Sequence, residues 1–260
     1  MNEAFVLRTD DNGITTLTLN RPQARNALSQ GMISALIEAF AAIAKDDSVR
    51  VVILAGAGPA FCAGHDLKEM RAAGYARDYT EKLFGDCAAL MLAIVKLPKP
   101  VIARVHGIAT AAGAQLVASA DLAVATDDSR FATPGVNIGL FCSTPMVALT
   151  RNIAPKHAMQ MLLVGDLVDA PTALRFGLVN ELVPAADLES ATLLLARKLA
   201  AKSSLTLAIG KEAFYRQAEL PLAEAYAYTR DVMVANLKAQ DAQEGIGAFI
   251  DKRHPTWCGR

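Results

Sequence analysis

Phe61-Cys62-Ala63-Gly64-His65-Asp66-Leu67 and, further along, Gly107-Ile108-Ala109-Thr110-Ala111-Ala112-Gly113-Ala114-Gln115-Leu116 are the stretches that decide the fold. Each follows an apolar strand-like run, Val49 to Leu54 and Val101 to Val105, and each feeds a helix-like run. Strand, loop, helix and strand in recurring order predict an α/β core with sites at the loops leaving the strands. The small residues let a ligand's carbonyl approach the main chain, and the positive end of a helix attracts developing negative charge. Two such loops can aim two backbone N–H groups at one oxygen, which is the logic of an oxyanion hole.

Upstream, Ala4 to Arg8 and Ile14 to Leu19 alternate around Asp11-Asn12-Gly13 and predict a hairpin. Ser29 then caps a helix whose apolar positions Ile33, Leu36, Ile37, Phe40 and Ala44 follow helical spacing. A second helix from about Tyr79 to Val95 carries Leu83, Cys87, Leu90, Met91 and Ile94 on one face, and Pro98 and Pro100 stop it. Downstream lie strand-like Asp121 to Ala125, a short segment Arg130 to Thr133, and a last strand over Leu178 to Val183. The segments 186–201, 205–217, 222–237 and 243–252 then read as helices.

The composition narrows the function classes. A hydrophobic fraction of 53% with 20% charged residues is that of a well-packed domain. The 26 Lys and Arg balance the 26 Asp and Glu, so the chain has no basic field for nucleic acid and no polybasic membrane anchor. Its apolar runs are too short to cross a bilayer. Cys62, Cys87, Cys142 and Cys258 are widely spaced, without a CxxC pair or a His at metal-ligand spacing. They predict reduced thiols and no metal site, and with no visible targeting stretch they place the protein in a cytoplasmic compartment.

Five ordered motifs then resemble one family. Asn20-Arg21-Pro22 with Arg25-Asn26-Ala27-Leu28, Ala60 to Leu67, Ala111-Ala112-Gly113, Asp121-Leu122-Ala123, and Glu244-Gly245 with Ala248-Phe249 and Lys252-Arg253 look like the crotonase (enoyl-CoA hydratase/isomerase) superfamily over nearly the whole chain. His65-Asp66-Leu67-Lys68-Glu69 and Gly139 to Pro145 look like its enoyl-CoA hydratase domain-containing subgroup. The resemblance implies a crotonase-like ββα superhelix, with a spiral core over 1–200 and a C-terminal helical trimerisation region over 201–260. It implies a homotrimer or dimer of trimers that binds an acyl-CoA, with coenzyme A as part of the substrate and no prosthetic group. The oxyanion donors carry over to the backbone N–H groups of His65 and Ala112. The coenzyme A contacts carry over to Arg25, Ala27, Ala63, Phe249 and Lys252, with Lys252 serving its own or a neighbouring subunit's site.

Hydratases of this family use two glutamates, and the corresponding positions here hold Gln115 and Gly135. Gln115 can hydrogen-bond a water but has no useful basicity, and Gly135 has no side chain. Hydration of a 2-enoyl-CoA, the family reaction, is therefore expected to be weak. The alternatives are another enolate reaction, such as decarboxylation or thioester cleavage, and a non-catalytic acyl-CoA binding oligomer. Among the other polar residues, Asp66 is expected to orient its turn and His106 to be structural. Cys142, Ser143 and Asn137 have no activating base at a legible spacing and are expected to pack or line the pocket.

Overall fold

The computed structural model describes residues 4–260. Strands β1 (Val6–Asp11) and β2 (Ile14–Leu19) form the expected hairpin, and α1 (Gln30–Ala44) begins where Ser29 Oγ accepts the Met32 N–H at 3.2 Å. There follow β3 (Val51–Gly56), α2 (Leu67–Ala72), α3 (Arg77–Lys96), β4 (Val101–Val105), β5 (Ile108–Thr110), α4 (Ala112–Ser119), β6 (Leu122–Thr126) and β7 (Arg130–Ala132). Then come α5 (Ser143–Leu149), α6 (Pro155–Val164), β8 (Val168–Asp169), α7 (Ala170–Phe176), β9 (Glu181–Val183) and α8 (Leu188–Ala200). The chain closes with α9 (Ser204–Gln217), α10 (Leu222–Asn236) and α11 (Gln240–Ile250).

The larger sheet has the order β1-β2-β3-β4-β6-β9 and is parallel from β2 onward, while β5-β7-β8 form a smaller sheet. Between β4 and β7 the chain deals one strand to each sheet in turn, which makes the path a spiral. Every residue from Val51 to Ala55 is buried, and period-two alternation divides them between two cores. Val52 and Leu54 face the main core with α1, α3 and α4, and Val51 and Ile53 face a smaller one with Leu188 and Ala196 of α8.

Three sequence expectations shift. On α1, Ile43 is buried and Ala44 exposed, so the apolar stripe ends one residue earlier than the expected face. The last strand shrinks to Glu181–Val183 because only these residues pair with β6, although Leu178 and Val179 are buried before it. The short elements α2, α5 to α7, β5 and β8 were not foreseen. Two- and three-residue strands are too short to repeat an alternating pattern.

Candidate functional site

The first loop is threaded between two edges. Leu28 N–H donates to Gly64 O at 2.7 Å and Asp66 N–H to Leu28 O at 3.1 Å, so His65 pairs beside Leu28 as in a parallel ladder with its own N–H turned away. On the other side, Cys62 N–H donates to Ile108 O at 3.1 Å and Thr110 N–H to Cys62 O at 3.0 Å. The second loop is thereby stitched to the first. Neither the His65 N–H nor the Ala112 N–H donates to any described residue. Ala112 is the first residue of α4, where N–H groups lack intrahelical partners.

Two glycines bring the loops this close. A Cβ on Gly64, which sits at φ +91°, would fall 2.9 Å from Thr110 O and 3.3 Å from Ala112 N. A Cβ on Gly113 would fall 2.1 Å from Cys62 O. Between them Ala111 takes φ +51° and ψ −117°, a conformation held by its N–H donating to Ala132 O at 2.8 Å. A non-glycine residue in such a region stores about 1–3 kcal/mol of strain, the kind that clusters where geometry is set for binding.

Asp66 accepts the N–H groups of Lys68 at 3.0 Å and Glu69 at 3.2 Å as the N-cap of α2, and it pairs with Arg21 at 2.9 Å. It orients the turn, as expected. The His65 ring meets Phe84 edge-on with centroids 5.2 Å apart, and its buried Nε2 has no partner. Burial lowers its pKa to about 4, so the imidazole is neutral at physiological pH. Gln115 is 4% exposed and its Oε1 also lacks a partner. At Gly135 a Cβ would meet Leu140 O at 2.7 Å and Cys142 Sγ at 2.9 Å, so neighbours already fill the space of a side chain there. Burial raises the Cys142 thiol pKa, which keeps it from being a thiolate nucleophile. His106 Nε2 lies 2.7 Å from Gly58 O, a structural contact, and Asn137 holds Gly165 O at 3.2 Å.

Of the residues expected to contact coenzyme A, Arg25 and Ala63 are brought together, the Ala63 N–H donating to Arg25 O at 3.0 Å, with Ala27 two residues on. Arg25 itself is exposed. Phe249 is 85% exposed and Lys252 is exposed without an ion pair among the described residues. Neither lies inside this protomer's core.

A brace not singled out from the sequence is Asn26. It is fully buried, its Oδ1 accepts the Arg21 N–H at 2.9 Å, and its Nδ2 donates to Ala57 O at 2.9 Å and Ala60 O at 2.8 Å. An Asn between Arg25 and Ala27 looks like ordinary turn chemistry, and only the fold shows that it ties two loops together.

Beside Gln115, helices α3, α4, α5 and α9 border a half-open groove of about 1030 Å³, lined among others by Met91, Val95, Ala118, Val147, Ile209 and the charged Lys211 and Arg151. Among the described residues no cluster of three His, Cys, Asp or Glu is placed to hold a metal, and no helix is long and apolar enough to cross a membrane.

Comparison with known proteins gives this geometry a family. A sequence profile described as enoyl-CoA hydratase/isomerase matches residues 9–260. The chain is 50% identical over 247 residues to the mitochondrial enoyl-CoA hydratase domain-containing protein 3 of Xenopus laevis, covering 95% of this chain and 84% of that one. To the human mitochondrial protein of the same name it is 46% identical over 245 residues, covering 94% and 80%. A crystal structure of enoyl-CoA hydratase from Mycobacterium smegmatis superposes with a TM-score of 0.95 at 54% identity, covering 98% of this chain and 99% of that one. The human domain-containing protein 3 superposes with 0.94 at 45% identity, covering 97% and 100%. The expectation of a cytoplasmic location is overturned by these relatives, since the frog and human proteins are named as mitochondrial. Unpaired thiols report a reducing environment and do not say which compartment provides it. With its spiral α/β core and helical C-terminal region α9 to α11, the chain belongs to the enoyl-CoA hydratase/isomerase family and has the crotonase fold.

Proposed function

We propose that this protein binds an acyl-CoA thioester and holds its carbonyl oxygen between the backbone N–H groups of His65 and Ala112. The observation that carries this is the pair of unpaired donors on two loops locked together at Gly64 and Gly113. When a nucleophile adds to C3 of a 2-enoyl thioester, the displaced electron pair moves through the conjugated system onto that oxygen. Donors already fixed in place stabilise the resulting enolate, each worth on the order of 10²–10³ in rate. The coenzyme A moiety lies along Arg25, Ala27 and Ala63, and Phe249 and Lys252 reach it from a neighbouring subunit of a trimer.

Gln115 and Gly135 stand where the family's acid/base glutamates would act, so hydration is slow. General acid/base groups contribute about 10²–10⁴ each. The crowding of Gly135 by Leu140 O and Cys142 Sγ favours this second element, because no carboxylate fits there without displacing backbone. Calorimetric titration with crotonyl-CoA tests the first part, and loss of its enoyl absorbance tests the second. The native protein is expected to bind the thioester with little turnover, and Gln115→Glu to raise turnover by about 10²-fold or more. Robust turnover by the native protein means that another group supplies the base and removes the proposal of slow hydration. Absence of any thioester binding removes the oxyanion proposal itself.

A further inference from the structure

We infer that residues 253–260 are a clasp that holds Lys252 in place for coenzyme A, with Asp241, Glu244 and Trp257 as its positioning residues. The inference rests on the reading of Lys252 as a coenzyme A contact given above and adds what sets that contact.

Strain is the first sign. Lys252 follows the cap of α11 at φ +54°, the left-handed region that glycine usually fills at this point of a helix end. Its N–H donates to Phe249 O at 3.3 Å and the Arg253 N–H donates to Ala248 O at 3.0 Å, the two bonds of a Schellman turn. Five other non-glycine residues among the described ones have positive φ, and three of them, Arg25, Asn26 and Ala111, belong to the proposed thioester site or brace it. A side chain kept in this conformation needs surroundings that over-determine it, and such strain gathers where a ligand is clamped.

Those surroundings are the tail. Arg253 grips Glu244 with both terminal nitrogens, at 2.6 and 2.8 Å, and the Thr256 N–H donates to the same carboxylate at 2.8 Å. Trp257 Nε1 donates at 2.8 Å to the carbonyl of Ala201, just past the end of α8. Asp241 is 1% exposed and accepts the N–H groups of Cys258 at 2.7 Å and Gly259 at 3.0 Å together with Ser203 Oγ at 2.6 Å. Its own N–H donates to Arg260 O at 2.8 Å. Gly245 makes room for the indole, since a Cβ there would fall 3.0 Å from Trp257 Cη2. Chain ends fray unless tied down. This one is tied from Arg253 to Arg260, both to α11 and to the turn between α8 and α9.

Charge completes the argument. Arg253 takes Glu244 and lies 3.8 Å from Asp251, the acids on either side of the turn. Lys252 is exposed and has no ion pair among the described residues. Its ammonium is left for an anion brought from outside, and the phosphates of coenzyme A supply one.

The test is calorimetric titration of the full-length protein with coenzyme A. Glu244→Gln, which keeps the shape but not the charge, and Trp257→Ala should each weaken binding about fivefold or more, approaching the loss given by Lys252→Ala. Gly245→Leu removes no contact and raises helix propensity in α11, yet it displaces the indole and should weaken binding as well. Trp257→Phe, which keeps a ring over Gly245, should recover part of the loss. In a Lys252→Ala background none of these substitutions should weaken binding further, a coupling that a merely structural role would not produce. Circular dichroism melting and native mass accompany every variant, and the separate substitutions keep the test decisive if one does not fold. Additive losses in the Lys252→Ala background overturn the inference. So does a loss that comes only with a change in native mass, since the tail then serves assembly. Unchanged affinity in the clasp variants beside a weakened Lys252→Ala overturns it too and leaves the coenzyme A contact standing. Unchanged affinity in Lys252→Ala removes that contact and the inference together.

Discussion

At the scale of single residues, the site depends on main-chain atoms, so substitutions should act through backbone clearance more than through lost side chains. Gly113→Ala places a methyl 2.1 Å from Cys62 O, and Cys62 cannot retreat because both its N–H and its C=O are bonded to β5. The expected cost is about 2–4 kcal/mol in urea denaturation, together with loss of thioester binding as the loops part. His65→Ala has the opposite profile, because the N–H remains when the imidazole is removed, and thioester affinity should change by less than about tenfold. The imidazole leaves a trace in the pH dependence of stability. Its folded pKa is depressed from 6.5 to about 4, so between those values the unfolded chain binds more protons than the native one. The contribution is complete above pH 6.5 and is lost as pH falls toward 4, on the order of 3 kcal/mol. Urea midpoints for the native protein and His65→Asn between pH 4 and 7 check this, and parallel curves would show that another group carries the slope.

At the scale of elements, α9 is fastened to the core by one polar latch. Asp121 Oδ2 accepts Lys211 Nζ at 2.7 Å and the Val101 N–H at 2.7 Å, while Oδ1 accepts Tyr215 OH at 2.9 Å. Lys211 Nζ also donates to the carbonyls of Ile94 at 2.9 Å and Lys99 at 3.0 Å, which places α9 across the end of α3. Burial and the nearby Asp121 charge raise the Tyr215 pKa, so its phenol stays a donor over the working range. Asp121→Ala leaves a nearly buried ammonium without its counter-charge and should cost about 3–5 kcal/mol. Hydrogen exchange should quicken in α9 more than in β3 and β4, and equal protection throughout α9 would show that apolar contact alone holds the helix. The sequence made the long periodic elements legible: the hairpin, the Ser29 cap, the buried face of α3 and the two small-residue loops all follow from local spacing. It hid whatever depends on distant atoms. Asp121 reads as one residue of a motif, and its partners on α9 come ninety residues later. Gly135 reads as an absence, whereas Cys142 and Leu140 already occupy its space. The pairing of Ala63 with Arg25 and the bracing by Asn26 are likewise made between segments that no single period links.

At the scale of the whole molecule, the C-terminal helices are incompletely covered by their own protomer. Among the described residues, α9 buries no side chain fully and α10 buries only Ala225. Leu222 and Tyr226 on α10 are 75% and 71% exposed, and Phe249 and Ile250 on α11 are 85% and 70% exposed. Helices of this length draw their stability from packing an apolar face, so large side chains turned outward at two neighbouring helices call for another surface. Equal numbers of acidic and basic residues put no net charge in the way of self-association. Native mass measurement is therefore expected to give a trimer or a multiple of three, and the paired substitution Leu222→Asp, Tyr226→Asp to shift it toward monomer. Lys252 connects this assembly to the site. If its ammonium meets a coenzyme A phosphate across the subunit boundary, Lys252→Ala should weaken coenzyme A binding about tenfold or more without changing the melting temperature, as loss of one charge-assisted hydrogen bond requires. The monomerised double variant should lose the same affinity while keeping its Lys252. A monomeric native protein, or a Lys252→Ala variant of unchanged affinity, would take Phe249 and Lys252 out of the site and leave the C-terminal helices to packing alone.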